Sequence, residues 1–115
     1  MNPQVSGIIV HHSACSSING KGYDFMIHMD GTVMVASERT EPGYLHVCLQ
    51  GDFNRPWDFL STGQKEQLFV ASRLLIRLSQ SLGFNADDVF PHRLDCPGPR
   101  FPWGKLVISA DDLYH

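Results

Sequence analysis

Hydrophobic and polar positions along the chain follow two periods, which predict a sheet first and a long helix after it. Residues 5–12 (VSGIIVHH) are β-branched and mostly apolar, which is typical of a central strand buried on both faces. Three shorter apolar runs predict further strands, at residues 23–28, 33–36 and 44–50. The pair Asp30-Gly31 joins the second and third runs, and it tolerates the positive φ angles of a tight hairpin.

A long amphipathic helix is predicted to follow the strands. Ser61 or Thr62 caps its amino terminus, and Gly83 ends it in the left-handed conformation. Its core-facing positions recur at three- and four-residue steps: Leu68, Ala71, Leu75, Leu78 and Leu82. Proline and glycine predict an irregular loop over residues 90–103, and the chain from Ser109 onwards is compatible with a short helix. The pattern therefore predicts an α/β fold, in which a single mixed β-sheet carries one long helix and short helices.

Size and composition place these elements in one domain. The chain has 115 residues, 43% of them hydrophobic and 18% charged, which suits a single globular domain over residues 1–115. No apolar stretch approaches the length of a membrane span, so we expect no membrane partner. The net charge of −3, without a cluster of Lys or Arg, argues against nucleic acid as a partner. No basic and apolar leader opens the chain, so we expect synthesis as a cytoplasmic protein without a signal peptide.

Histidine and cysteine are the residues whose chemistry stands out. The 3 cysteines, an odd number, exclude a fully paired disulfide framework, so reduced thiols or metal ligands are expected. His11 and His12 end the first strand, where side-chain alternation lets only one of them face a given site. His92 and Cys96 lie between prolines that disfavour a helix, so a turn must bring them together. Imidazole and thiolate both bind zinc well, but this pair alone is a weak indication of a metal site.

Several short motifs occur in series along nearly the whole chain. They are residues 9–14 (IVHHSA), 22–27 (GYDFMI), 30–33 (DGTV) and 47–53 (VCLQGDF), the helix start at 62–64 (TGQ), and the closing elements 92–93 (HR) and 96–98 (CPG). In this order the motifs resemble those of the type 2 N-acetylmuramoyl-L-alanine amidases, which include phage lysozyme-type amidases, and of the related peptidoglycan recognition proteins.

The resemblance implies a catalytic zinc site. His11, His92 and Cys96 would bind Zn²⁺ and leave the fourth position to water, the open arrangement of a catalytic zinc. Tyr23 would lie beside that water and orient it or stabilise the oxyanion. The implied activity is hydrolysis of the amide between N-acetylmuramic acid and L-alanine, by a monomer that binds peptidoglycan or a muropeptide. Such an enzyme acts on the cell wall as an endolysin does, after a phage-type release.

The closing motif departs from the family pattern. His92 and Cys96 lie closer together than in most members, and Leu94 takes the place of a polar residue that many members carry. Leucine cannot donate a hydrogen bond to the oxyanion, and the loss of one such donor typically lowers the rate about 10²–10³-fold. Arg93 is the candidate replacement, and a simple surface position is its alternative interpretation.

Two other functions stay open at this point. One is a recognition module that binds peptidoglycan without cleaving it and retains the zinc site. The other is a small interaction domain with a structural zinc, for which His12 or Asp95 would supply the fourth ligand.

The remaining chemistry-bearing residues are expected in structural roles. We expect His46 in the core or at a sheet edge, with protrusion toward the cleft as the alternative, and Cys15 and Cys48 as buried thiols. A group of aromatic residues is expected to pack, with a rim for sugar stacking as the alternative: Trp57, Phe101 and Trp103.

Overall fold

Five strands form one mixed sheet in the computed structural model, which describes residues 5–14, 23–37, 40–41, 43–84, 88–93 and 96–106. The strands are β1 (Gly7–His12), β2 (Phe25–Ile27), β3 (Val33–Val35), β4 (Tyr44–Leu49) and β5 (Val89–Pro91). Their order across the sheet is β3-β2-β4-β1-β5, and only the β2–β3 hairpin is antiparallel among these neighbours. The predicted α/β fold class, a single mixed sheet with one long helix, is confirmed. The short helices are 3₁₀ turns at Trp57–Phe59 and Trp103–Lys105.

The central position of β1 explains its uninterrupted apolar sequence. It pairs in parallel with β4 on one side and with β5 on the other, so it has no exposed edge. Ile8 and Val10 on one face and His11 on the other are almost completely buried, as expected for a strand covered on both faces. At the start of the strand, a Cβ atom on Gly7 would overlap the backbone carbonyl of Asp88. Glycine at this position therefore allows the chain that leads into β5 to approach β1.

β5 corrects the prediction of an irregular loop that begins at residue 90. Val89–Pro91 forms an edge strand, although it is only three residues long and Phe90 and Pro91 are exposed. The strand exists because its backbone pairs with Ile8, Ile9 and Val10 of β1. Proline is compatible with an edge strand, where its missing N–H costs no ladder hydrogen bond. Beyond His92, the described part of the tail forms no further strand of the sheet, as the prediction of an irregular loop implies.

The long helix α1 (Thr62–Leu82) has the predicted ends. Ser61 is its N-cap: the hydroxyl accepts a hydrogen bond from the Gln64 N–H at 3.1 Å, and the Gln64 side chain accepts one from the Ser61 N–H. Gly83 ends the helix at φ 79°, in the left-handed region. Of the predicted core-facing residues, only Leu82, the last residue of the helix, is exposed. Within the described ranges, no helix has both the length and the apolar character needed to cross a membrane.

A buried glutamine attaches α1 to the sheet. The Gln67 amide group donates hydrogen bonds to the backbone carbonyls of Ile27 and Gln50, at 3.0 and 2.9 Å. These carbonyls lie at the carboxyl ends of β2 and β4. The helix therefore packs on the sheet in a defined register along the strands.

Candidate metal centre

The two adjacent histidines at the end of β1 have different surroundings. Both are buried, and alternation along the strand places their side chains on opposite faces of the sheet. The Nδ1 atom of His12 accepts a hydrogen bond from the backbone N–H of Phe53 at 3.0 Å, so His12 holds the chain that leaves β4. His11 points to the other face and is the histidine available for a metal site.

A tight turn after β5 brings the second and third candidate ligands to His11. The backbone N–H of His92 donates to the Val10 carbonyl at 3.1 Å, which extends the β1–β5 pairing and places His92 next to His11. Arg93 and Cys96 then exchange two backbone hydrogen bonds, each 3.1 Å long. The predicted turn between His92 and Cys96 is confirmed by these bonds. Leu94 and Asp95 are outside the described residues.

The three predicted ligands converge at one point. One ligand atom from each of His11, His92 and Cys96 lies within 4.8 Å of the other two. The Cys96 Sγ atom is 3.9 Å from the His11 Nδ1 atom, and the ring centroids of His11 and His92 are 4.3 Å apart. Zinc binds nitrogen at about 2.0–2.1 Å and sulfur at about 2.3 Å, so the 3.9 Å between Sγ and Nδ1 fits two donors of one ion, with His92 beside them as the third. Two imidazoles and one thiol are also a donor set that zinc prefers.

The electrostatic surroundings keep His11 in the form that binds a metal. Burial, together with the smaller effects of the neighbouring His92, His46 and His12, lowers the pKa of His11 from 6.5 to about 3. A neutral imidazole keeps one nitrogen lone pair for a ligand, whereas an imidazolium has none. His11 is therefore neutral throughout the physiological pH range.

The contact of His46 with His11 is the feature of this site that sequence reasoning missed. Its Nδ1 atom lies 2.7 Å from the Nε2 atom of His11, and its Nε2 atom lies 2.9 Å from a carboxylate oxygen of Glu41. His46 is buried, as expected, but it contacts a candidate ligand and does not simply fill the core. The signal was the strand itself: His46 shares a sheet face with Cys48, and Cys48 is level with His11 in the β1–β4 register.

The two predicted catalytic residues lie outside the three-donor cluster. Tyr23 is half-buried and comes two residues before β2, next to Asp24. The Asp24 carboxylate accepts a hydrogen bond from the backbone N–H of His46 at 2.7 Å. Arg93 is exposed, and the contact that places it is its backbone pairing with Cys96. Their catalytic roles therefore stay predictions.

The arrangement of strands and helix is also seen in solved structures, although no family model and no curated protein sequence matches the chain. The endolysin N-acetylmuramoyl-L-alanine amidase LysCS from Clostridium intestinale URNW aligns with a TM-score of 0.61 and 20% identity, over 90% of this chain and 81% of that chain. PGRP-Hd from Alvinella pompejana aligns with a TM-score of 0.57 and 14% identity, over 88% and 80% of the two chains. An AmpD derivative gives 0.61 and 14%, over 90% and 83%. The chain has the amidase fold.

In this amidase fold, the aromatic residues considered for sugar stacking act mainly in packing. Phe101 is buried, and its ring lies 6.4 Å from that of Phe53 and 4.7 Å from that of Trp103. Trp57 and Trp103 are half-buried against the same core. The Trp57 ring also lies under the ammonium groups of Lys65 and Lys105, at 5.1 and 5.4 Å. The expectation that these aromatics anchor the loops is therefore confirmed for Phe101, the one among them that is fully buried.

Proposed function

We propose that the protein is a zinc-dependent peptidoglycan amidase that hydrolyses the amide between N-acetylmuramic acid and L-alanine. The observation that carries the proposal is the convergence of His11, His92 and Cys96 within 4.8 Å on an amidase fold. Two of the similar structures, LysCS and LysC, are named as N-acetylmuramoyl-L-alanine amidases. The donor set and the fold support the same conclusion independently of each other.

The proposed roles of the cluster residues follow from their positions. His11 binds as a neutral imidazole from the rigid centre of the sheet, and His92 binds from the end of β5. Cys96 binds as a thiolate from the turn that its backbone forms with Arg93. Zinc, when bound, supplies a Lewis acid that polarises the scissile carbonyl and lowers the pKa of water towards neutrality. Three protein donors leave one coordination position for the reactants, as in other catalytic zinc sites.

Tyr23 and Arg93 are proposed to act on the substrate. The Tyr23 hydroxyl can donate a hydrogen bond to the oxygen that gains charge as the amide carbonyl is attacked. The guanidinium of Arg93 is permanently charged and can take over the donor role that Leu94 cannot perform. Peptidoglycan or a muropeptide is the proposed partner, bound at the cell wall by a monomer.

Digestion of purified sacculi tests the activity directly. We expect zinc-loaded protein to release stem peptides with a free L-alanine amino terminus, identified by mass spectrometry of the digest. His11→Ala and Cys96→Ala should lose both the bound zinc and the release, because each removes one of three ligands. His28→Ala is the matched control, since His28 contacts Gln50 and lies outside the cluster. A wild-type digest without released peptide at full zinc occupancy would contradict the proposal.

A recognition module that binds peptidoglycan without cleaving it is the second candidate. The closing motif favours it, because Leu94 stands where many members of the family carry a polar residue, and so does the likeness to PGRP-Hd. The same preparation separates the two functions. Saturable binding of a muropeptide to the zinc-loaded protein with no turnover identifies a recognition module, whereas turnover identifies the amidase.

A further inference from the structure

His11 is engaged through both of its ring nitrogens. Its Nδ1 atom faces the Sγ atom of Cys96 at 3.9 Å, on the side of the candidate metal site. Its Nε2 atom lies 2.7 Å from the Nδ1 atom of His46, a buried contact between side chains on neighbouring strands. The Nε2 atom is therefore already in a hydrogen bond, and Nδ1 is the nitrogen on the side of Cys96.

The position of Glu41 determines where the protons of this chain lie. A carboxylate only accepts hydrogen bonds, so the Nε2 atom of His46, 2.9 Å from the Glu41 oxygen, must carry a proton. The Nδ1 atom of a neutral His46 is then an acceptor, and the proton of the 2.7 Å contact belongs to the Nε2 atom of His11. With Nε2 protonated, the lone pair of a neutral His11 is on Nδ1.

Asp24 holds this chain of side chains in place. One oxygen of its buried carboxylate accepts the backbone N–H of His46 at 2.7 Å, and the other accepts that of Thr40 at 2.9 Å. The same carboxylate thus binds the backbone of His46 and of the residue before Glu41. This arrangement brings Glu41 to the Nε2 atom of His46 without depending on a metal.

We propose that His46 and Glu41 are positioning residues that fix the tautomer and ring orientation of His11, so that its Nδ1 atom binds the metal. The proposal rests on the zinc site of the proposed function, but it concerns metal affinity and not turnover. Hydrogen-bond partners behind a ligating histidine typically contribute about 10–100-fold to metal affinity, because they orient the ring and raise its basicity.

Zinc dissociation constants of single variants test the proposal, measured by competition with a chromophoric chelator. His46→Leu replaces the imidazole by an apolar side chain of similar bulk and removes the acceptor. We therefore expect the zinc dissociation constant to rise about 10–100-fold. His46→Asn returns an acceptor near the position of Nδ1, and we expect it to recover most of the affinity. Glu41→Ala should give a dissociation constant between that of wild type and that of His46→Leu. His28→Leu is the control and should bind zinc as wild type does.

The tautomers give a second readout that needs neither metal nor substrate. Long-range ¹H–¹⁵N correlation spectra of the metal-free protein should show His11 and His46 both protonated at Nε2. A proton on Nδ1 of His46 would overturn the proposal. If His46→Leu does not fold, Glu41→Ala decides, since this side chain is partly exposed and can be removed without opening the core. Wild-type zinc affinity in Glu41→Ala would then overturn it.

The same measurements separate this proposal from the amidase activity. If zinc binding weakens in His46→Leu and the wild-type protein turns over no muropeptide, the positioning pair is supported and only the proposed function is contradicted. Turnover by a wild-type enzyme whose zinc affinity is unchanged in both His46→Leu and Glu41→Ala contradicts only the positioning pair. A folded wild-type protein that binds no zinc contradicts both.

Discussion

The position of Cys96 depends on a contact between two residues that are far apart in sequence. Gly98 has a φ angle of 101°, in the region that favours glycine, and a Cβ atom there would overlap the side chain of Asn54. The same Asn54 side chain accepts a hydrogen bond from the backbone N–H of Arg100 at 2.9 Å. Asn54 therefore holds the chain on the far side of Cys96, and Gly98 lets it approach.

Substitution of Gly98 tests this contact at the scale of one residue. We expect Gly98→Ala to lower the free energy of unfolding by about 2–4 kcal/mol, from the left-handed φ angle and the overlap with Asn54 together. It should also weaken zinc binding, because the turn that carries Cys96 must shift. Chemical denaturation and zinc competition measure the two effects. Gly104→Ala is the control, since a Cβ atom at Gly104 meets no atom within 4 Å; an equal loss in both variants would contradict the explanation.

Residue identity predicted the cluster but not the residues behind it. His11, His92 and Cys96 could be named from motifs because each motif is a local run of sequence. The contact between His11 and His46 depends on the register between β1 and β4, which no single run contains. A histidine in an apolar strand is therefore ambiguous until its cross-strand neighbour is known.

At the scale of elements, α1 was predictable from local sequence, whereas β5 depends on a tertiary contact. The helix carries its own signals: the pair Ser61 and Gln64 at one end, Gly83 at the other and a repeating apolar stripe between them. β5 has three residues, two of them exposed, and it forms only because β1 presents a backbone partner. Local periodicity therefore predicted the helix nearly to the residue, whereas the edge strand required tertiary pairing.

The capping box gives a prediction for α1. We expect Ser61→Ala to lower the free energy of unfolding by about 1 kcal/mol, because the Gln64 N–H loses its acceptor. Urea denaturation followed by circular dichroism measures the change. Ser81→Ala, an exposed serine in the last turn of the same helix, is the control and should change stability by less than about 0.5 kcal/mol. No difference between the two variants would mean that the cap contributes nothing to the folded protein.

The approach of β5 to β1 gives a second prediction at this scale. Gly7→Ala places a methyl group against the Asp88 carbonyl, and backbone cannot move aside as a flexible side chain does. We expect a loss of about 1–3 kcal/mol in the free energy of unfolding. Zinc affinity should fall as well, because β5 carries His92 to the site. Gly43→Ala, where a Cβ atom meets nothing within 4 Å, should leave both quantities near wild type. Unchanged zinc affinity in a destabilised Gly7→Ala protein would show that His92 does not depend on this pairing.

At the scale of the whole molecule, the candidate ligands connect distant parts of the chain. His11 comes from the first strand, and His92 and Cys96 follow the last strand, with β2, β3, β4 and α1 between them in sequence. The order of the motifs along the chain was enough to predict the mixed sheet and this convergence. It did not reveal how tightly a metal would join the two ends, since that depends on distances across the sheet.

A ligand that binds the folded chain and not the unfolded one stabilises it by mass action, by about 2.7 kcal/mol at a free concentration 100 times the dissociation constant. In a domain of this size we expect zinc at that excess to raise the melting temperature by about 10 °C. A chelator should reverse the increase.

Cys96→Ala should bring the zinc-treated and zinc-free melting curves close together, whereas Cys48→Ala, which alters a buried cysteine outside the cluster, should retain their separation even if both curves shift. Calorimetry with and without zinc checks this, and a wild-type curve that zinc does not move would mean that the cluster does not hold the ion. Because the increase reports binding to the native state alone, it is expected whether or not the site turns over peptidoglycan.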